Sequence, residues 1–449
     1  MSKRSHCEKF LEVEAVKTIP QLRKGRTLAS LAGVAVAILV LGACSGSSEE
    51  ASETTAAATA TESETAVEAV PGTGSLACTD GRILVGVAKA DSGGASFFDV
   101  AGKRGLEIAI DEINAAGGIK GCPLEIISGD SKSDPAIGAE VARNMIDQGA
   151  QILVVADDFD GGIAAATVGQ EAGVLTLSLA ASSTQFGNAV GPLLFTGGIT
   201  TTELGLAQAR YALDQKWNST FQVIDPGLAY FTEQDTTYRS LYEANGGEVV
   251  ESATVDSLGG QSDFNAVISK IKQAKPDVIQ ALAVFPGVGT FVKQLREAGV
   301  DTPVIGNVTL QTRELTKLLS ADQANNIYYA AQVFFEGAGQ DPNTDPAIVA
   351  FTEAYEAKFG QFPEQANGPG AYQTFLAIAQ ALQQDQVIDA QSAADAIRAQ
   401  TNVLVPGGIL AKWQDGYAIW DPVIAGVLDG SFEYIETLPA SELRTSAGQ

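Results

Sequence analysis

From Arg82 onward the chain alternates two hydrophobic periods. "RILVGVAKA" is a short continuous apolar run, β-branched and bounded by turn residues, as a buried strand should be. A Gly/Ser loop, "DSGGAS", follows. In "FFDVAGKRGLEIAIDEINAAGG", Leu106, Ala109, Ile110 and Ile113 recur at helical spacing and predict one apolar stripe, ended by Gly117 and Gly118. "CPLEIISGD" predicts a second strand and "DPAIGAEVARNMIDQGA" a helix with Pro135 near its start. "QILVVAD", "GGIAAATVGQEAG" and "VLTLSLA" continue the alternation. A second series begins at "TFQVID" and runs through "DVIQALAVF" to "TPVIGN". Strands alternating with helices predict βαβ units and parallel sheets. The fold class expected is therefore α/β, with two doubly wound parallel-sheet lobes. Ligands of such sheets bind at the C-terminal strand edges, which places the site between the lobes.

Upstream the pattern is different. Leu28 to Ala43 is an uncharged run of sixteen residues behind Arg23-Lys24-Gly25-Arg26. It is shorter than the roughly 20 residues that cross a bilayer, and has the layout of a signal peptide. It ends on Leu41-Gly42-Ala43-Cys44, which resembles the bacterial lipoprotein signal, in which the cysteine is lipidated and becomes the new N-terminus. The resemblance implies a signal peptide over 1–43, lipidation of Cys44 and anchoring on the extracytoplasmic face of the cell membrane. An uncleaved anchor helix is the alternative reading. Residues 1–22 are long and acidic for a signal, which raises the expectation of a translation start further downstream. Residues 45–75 carry six Glu and no Lys or Arg, too little apolar surface to fold. Residues 44–77 are read as lipidated cysteine and tether, spanning roughly 30 Å as a flexible coil.

Charge and composition then narrow the function. The formal charge of −26 argues against nucleic acid and against binding anionic lipid through basic patches. The segment 1–43 holds seven of the basic residues and three acids, leaving 21 basic against 51 acidic residues beyond it. The single histidine, His6, lies in that segment. Cleavage would remove histidine bases, Ser-His and Cys-His pairs and His-ligated zinc together. Cys78 and Cys122 each precede a strand, the first and second of lobe one. A 2-1-3 strand order would bring them together, and an exported location permits a disulfide. The alternative is two buried thiols.

"ILVGVAKADSGG…GLEIAIDEINAAGGIKGCPLEIISGDSKSDPAIGAEVARNMID" resembles the start of the branched-chain amino-acid-type periplasmic binding proteins, the substrate-binding receptors of ABC importers with the type I fold (leucine-binding domain family). The likeness covers about residues 82 to 430 and includes "SLAASST", "PDVIQALAVFPGVGTFVKQLREAG" and "GPGAYQTFLAIAQAL". It implies three crossings between the lobes, placed near Gly197–Thr200, Val333–Gly337 and Val403–Pro406. Lobe one is then 78–198 with 336–403, lobe two 199–335 with 404–440, and 441–449 a tail.

The resemblance also implies the ligand loops. In lobe one these carry Ser92 and Phe98, then Asp157, Asp158, Phe159 and Asp160, then Ala180 and Ser182. Ser182 matches a hydroxyl that helps hold a ligand carboxylate, and could equally cap a helix. The middle loop departs from the family, with three Asp where a Ser/Thr run is usual. An acid facing the cleft would repel a carboxylate and suit a cation or a hydroxyl or amide donor; Asp157 and Asp158 could instead cap a helix or face water. In lobe two, Tyr230 and Phe285 are candidate aromatic covers. Asn307 stands where the family has the carboxylate that holds an α-amino group.

These readings converge on an extracytoplasmic solute receptor of an ABC importer, binding an amino acid or related small polar solute. Its partners would be the solute, the permease and the membrane, through a lipid anchor. No cofactor, metal or catalysis is expected, and the chain should be a monomer. The rivals are a ligand sensor in signalling, a receptor for an amide, urea-like or cationic solute, and an exported enzyme using paired carboxylates such as Asp157 and Asp160.

Overall fold

The computed structural model describes residues 74–257 and 259–448. The expected signal peptide, Cys44 and the tether up to residue 73 lie outside them.

Five strands alternate with helices in the first series: β1 (Ile83–Lys89), β2 (Leu124–Asp130), β3 (Ile152–Val155), β4 (Leu175–Ser178) and β5 (Leu194–Thr196). The second series holds β6 (Ser219–Ile224), β7 (Glu248–Thr254), β8 (Val278–Leu282), β9 (Val304–Gly306) and β10 (Ile327–Ala331). Five more strands come late: β11 (Thr401–Val405), β12 (Gly408–Gln414), β13 (Tyr417–Trp420), β14 (Val423–Leu428) and β15 (Ser431–Thr437). They form two sheets, β11-β12-β13-β5-β4-β3-β1-β2 and β15-β14-β10-β9-β8-β6-β7. Neighbours among β1 to β5, and among β6 to β10, are parallel.

Local sequence accounts for the elements. β1 and β3 are buried along their whole length, as a central parallel strand covered on both faces must be. The helix α1 (Ser96–Ala115) buries the expected stripe of Leu106, Ala109, Ile110 and Ile113. It stops where Gly117 and Gly118 take φ of 104° and 80°, and the Gly118 amide returns to the Ile113 carbonyl at 2.8 Å. The helix α2 (Pro135–Asp147) starts with Pro at its first position, behind Asp134, whose carboxylate accepts from the Ala136 and Ile137 amides.

Three expectations are corrected. The third crossing is not at Val403–Pro406. There Pro406 and Gly407 turn an antiparallel hairpin, with Val405 opposite Gly408, and β13 docks parallel to β5 through Tyr417 and Thr196. Residues 404–420 therefore belong to sheet one, and the chain passes to sheet two at Asp421 and Pro422. A Pro-Gly turn signal marks a hairpin and a crossing alike. The expected tail is in part a helix, Ala440–Ser446, with Leu443 buried and Arg444 paired to Glu203. The expected end of the tether is bound to lobe one. The Leu76 amide donates to the Ile388 carbonyl at 2.9 Å, and Gln151 Nε2 to the Ser75 and Ala77 carbonyls.

Side chains tie the crossings together. The Gly197 carbonyl accepts from Thr374 Oγ1 at 3.0 Å and Trp420 Nε1 at 2.7 Å. Gln332 Oε1 accepts from the Ile199 amide at 3.0 Å, and its Nε2 donates to Gln373 Oε1 at 3.2 Å. Gln373 Nε2 continues to the Pro406 carbonyl at 2.6 Å.

Cys78 and Cys122 form a disulfide with Cα atoms 5.7 Å apart, at the entrances of neighbouring β1 and β2. It closes a loop with a sequence separation of 44. Chain entropy alone sets its contribution at about 4 kcal/mol. Reducing it, or making Cys78→Ser, should lower the unfolding free energy in urea by about 2–4 kcal/mol. An unchanged urea midpoint would show that the bridge contributes nothing.

Candidate functional site

Parallel strands bring their C-terminal ends to one edge of a sheet. The loops after β1, β3 and β4 therefore share an edge of lobe one, and those after β6, β8 and β9 an edge of lobe two. These loops carry the residues expected to meet a ligand.

Beneath the lobe-one loops lies a buried ion cluster. Lys89 ends β1, Asp99 sits in the first turn of α1, and Asp157 follows β3. Lys89 Nζ is 2.6 Å from Asp157 Oδ1 and 3.6 Å from Asp99 Oδ1, with all three side chains essentially inaccessible. At this separation the buried ammonium and the Asp157 carboxylate form an ion pair. The two carboxylates also bind the loops themselves. Asp99 accepts from the Ala90 amide at 2.7 Å and the Asp157 amide at 2.8 Å; Asp157 Oδ1 accepts from the Ala180 amide at 3.1 Å. One cluster thus fixes the starts of all three loops. Gly102 in α1 makes room: a Cβ there would lie 2.0 Å from Asp157 Oδ2. Burial pushes the Asp157 carboxyl up to about 6, with Lys89 opposing and Asp99 adding to the rise. Asp157 is therefore turned into the lobe, not toward the cleft. Lys89 and Asp99 were missed in the sequence. Their one signal was a charge at the end of an apolar strand and another on the buried side of a helix.

The other lobe-one residues divide by accessibility. Asp158 caps α3 (Phe159–Glu171), accepting from the Gly161 amide at 2.6 Å. Asp160, in the first turn, is exposed and makes no hydrogen bond or ion pair with any described residue. Phe159 is half-buried against Phe186, ring centroids 5.4 Å apart. Ser92 is held by Asp130, which accepts its hydroxyl at 2.6 Å and the amides of Asp91 and Ser92. Phe97 and Phe98 open α1 as an edge-to-face pair, 62% and 47% exposed. Ala180 is half-buried and gives its amide to Asp157. Ser182 is half-buried, and its hydroxyl bonds to no described residue.

In lobe two, Tyr230 and Phe285 are half-buried on the edges of the core clusters. Asn307 is fully buried. Its Nδ2 donates to Gln234 Oε1 at 2.8 Å, and its Oδ1 accepts the Thr309 amide and hydroxyl. It closes a turn instead of facing the cleft. At the second crossing, buried Glu336 accepts from Tyr329 Oη and Gln311 Nε2, each at 3.2 Å, and burial pushes its carboxyl up to about 7. A cavity of about 640 Å³ lies elsewhere, on the outside of lobe one between α1 and the helix Pro346–Phe359.

A family profile described as periplasmic binding protein matches residues 82–423. The chain belongs to the periplasmic binding protein family. The family is one of extracytoplasmic, non-enzymatic binding proteins, and the relatives this chain resembles include branched-chain amino-acid-binding members. This periplasmic binding protein is 26% identical over 373 residues to Leu/Ile/Val-binding protein homolog 1 of Brucella abortus, covering 79% of this chain and 93% of the relative. It is 25% identical over 338 residues to a leucine-, isoleucine-, valine-, threonine- and alanine-binding protein of Pseudomonas aeruginosa, covering 75% and 87%. Its fold is that of the branched-chain amino-acid transporter substrate-binding protein LivJ of Streptococcus pneumoniae solved with isoleucine (TM-score 0.65, 24% identity, 80% and 99% covered). A solute-binding protein of Rhodopseudomonas palustris solved with 3,4-dihydroxybenzoic acid shares the fold equally (TM-score 0.65, 20% identity, 80% and 98% covered).

Lys89→Met leaves Asp99 and Asp157 buried without their counter-charge, which should cost about 3–5 kcal/mol. A raised carboxyl pKa favours the fold below its unfolded value, and that contribution is lost as pH rises through the folded value. Losing Lys89 enlarges the effect, because protonating Asp157 removes the unpaired charge. Urea unfolding should thus show a larger penalty at pH 8 than at pH 5, by at least about 1 kcal/mol. Equal penalties would mean that Asp157 does not respond to Lys89.

Proposed function

We propose that this protein is the lipid-anchored solute receptor of an ABC importer, holding an amino acid or related small polar solute between its lobes and presenting it to the permease. The observation that carries this is the pair of loop sets at the C-terminal ends of the parallel strands of two mixed sheets, on lobes linked by three short crossings. The relatives named for leucine, isoleucine and valine support the solute class. Attachment through Cys44 rests on the Leu-Gly-Ala-Cys junction and the acidic segment beyond it. Within the cleft, Ser182 offers a hydroxyl that bonds to no described residue, and Phe98, Tyr230 and Phe285 offer apolar cover.

A thermal-shift screen across amino acids, amides, amines and aromatic acids tests this. A solute at 100 times its Kd should stabilise the fold by about 2.7 kcal/mol and be recovered unchanged. Ser182→Ala should weaken that solute about 5- to 10-fold, the worth of one hydrogen bond. Conversion of the solute, or full affinity in the Ser182 variant, would count against the reading.

A further inference from the structure

We propose that the occupant of the cleft is an organic cation, an amine, guanidinium or quaternary ammonium without a free carboxylate. This rests on the receptor reading above and names the class of solute.

An anionic ligand needs donors, and many backbone donors of the lobe-one loops are already committed to the protein's own carboxylates. Asp99 takes the Ala90 and Asp157 amides, Asp130 those of Asp91, Ser92 and Lys132, Asp157 that of Ala180, and Asp158 that of Gly161. Two of the bases near these loops are spent too, while Lys132 is exposed and makes no ion pair with a described residue. Lys89 is enclosed by Asp157 and Asp99, and Lys103 is paired with Asp91 at 2.9 Å. Across the cleft, Arg313 donates to the Glu336 and Ala338 carbonyls and lies 3.4 Å from the centre of the Phe362 ring.

Acceptors and aromatic faces, in contrast, stand free. Asp160 presents an exposed carboxylate without hydrogen bond or ion pair at the first turn of α3. Phe97 and Phe98 expose their rings at the first turn of α1, on the same edge of the sheet. In the cluster below, two carboxylates face one ammonium, so its charge is not fully balanced. Open aromatic faces beside uncompensated acids attract organic cations, by ring quadrupole and by charge. In lobe two Asn307 offers nothing to an ammonium: it is buried, its Nδ2 donates to Gln234 and its Oδ1 accepts from Thr309. The charge complement sits in lobe one instead, and it suits an ammonium without the carboxylate of an amino acid.

The test is titration calorimetry with pairs that differ in the carboxylate: isoamylamine against leucine, agmatine against arginine, benzylamine against phenylglycine, and choline against glycine betaine. In at least one pair the cation should bind at least tenfold tighter than its carboxylate-bearing partner. That affinity should fall several-fold as salt screens the cleft. Asp160→Asn should weaken the cation several-fold without moving the urea midpoint. Equal or tighter binding of the carboxylate members overturns the proposal. So does a stabilising solute of any other class found in the wider screen. Silence from every compound, in both arms and in that screen, would instead sink the receptor reading beneath it.

Discussion

One buried ammonium organises the ligand face of lobe one. Lys89 lies between Asp157 and Asp99, and those two carboxylates hold the amides that open the loops after β1, β3 and β4. Burying three charges costs several kcal/mol per ion, and replacing such a cluster with apolar residues is often neutral or stabilising. An apolar substitute would fill the space but could not accept the Ala90, Asp157 and Ala180 amides. The cluster is therefore better understood as a device for position than as a source of stability. Three loops from three separate strands share a single anchor, so their relative placement is set from below, before any solute arrives.

The crossings are held differently. Around the first two crossings, Gly197, Ile199, Gln332 and Gln373 make neutral amide and hydroxyl contacts, each worth about 1 kcal/mol net. Contacts of that size align two lobes without locking them. Domain closure around a ligand needs such short segments to absorb the rotation. The contrast between a charged clamp within the lobe and neutral links between lobes fits a receptor whose loops stay fixed while its lobes move. Glu336 is the exception, a carboxyl raised to about 7 by burial beside the second crossing.

Much of this was legible in the chain. The alternating periods gave both parallel series, because buried parallel strands read as continuous apolar runs. The cysteine spacing pointed to the bridge, since strand neighbours in a 2-1-3 order begin side by side. Asp158 as a helix cap was one of two local readings, and the local one holds. What stayed hidden depends on distant partners. Nothing near Asp157 reveals that Lys89, in another strand, reaches it, so an acid able to face the cleft is turned inward. Asn307 is consumed by Gln234, which lies on a helix 73 residues earlier in the chain. The hairpin at Pro406 looked like a crossing because a turn signal carries no information about which sheet receives the next strand.

The central claim is that the cleft holds a solute and passes it on unchanged. Native mass spectrometry of the protein purified without denaturation from the cells that make it tests this most directly. The account predicts a complex with one small solute per chain, released intact on unfolding, with an accurate mass that fits a nitrogenous cation. A chain that carries no solute and takes up none from any extract, or one that releases a chemically altered product, would contradict it.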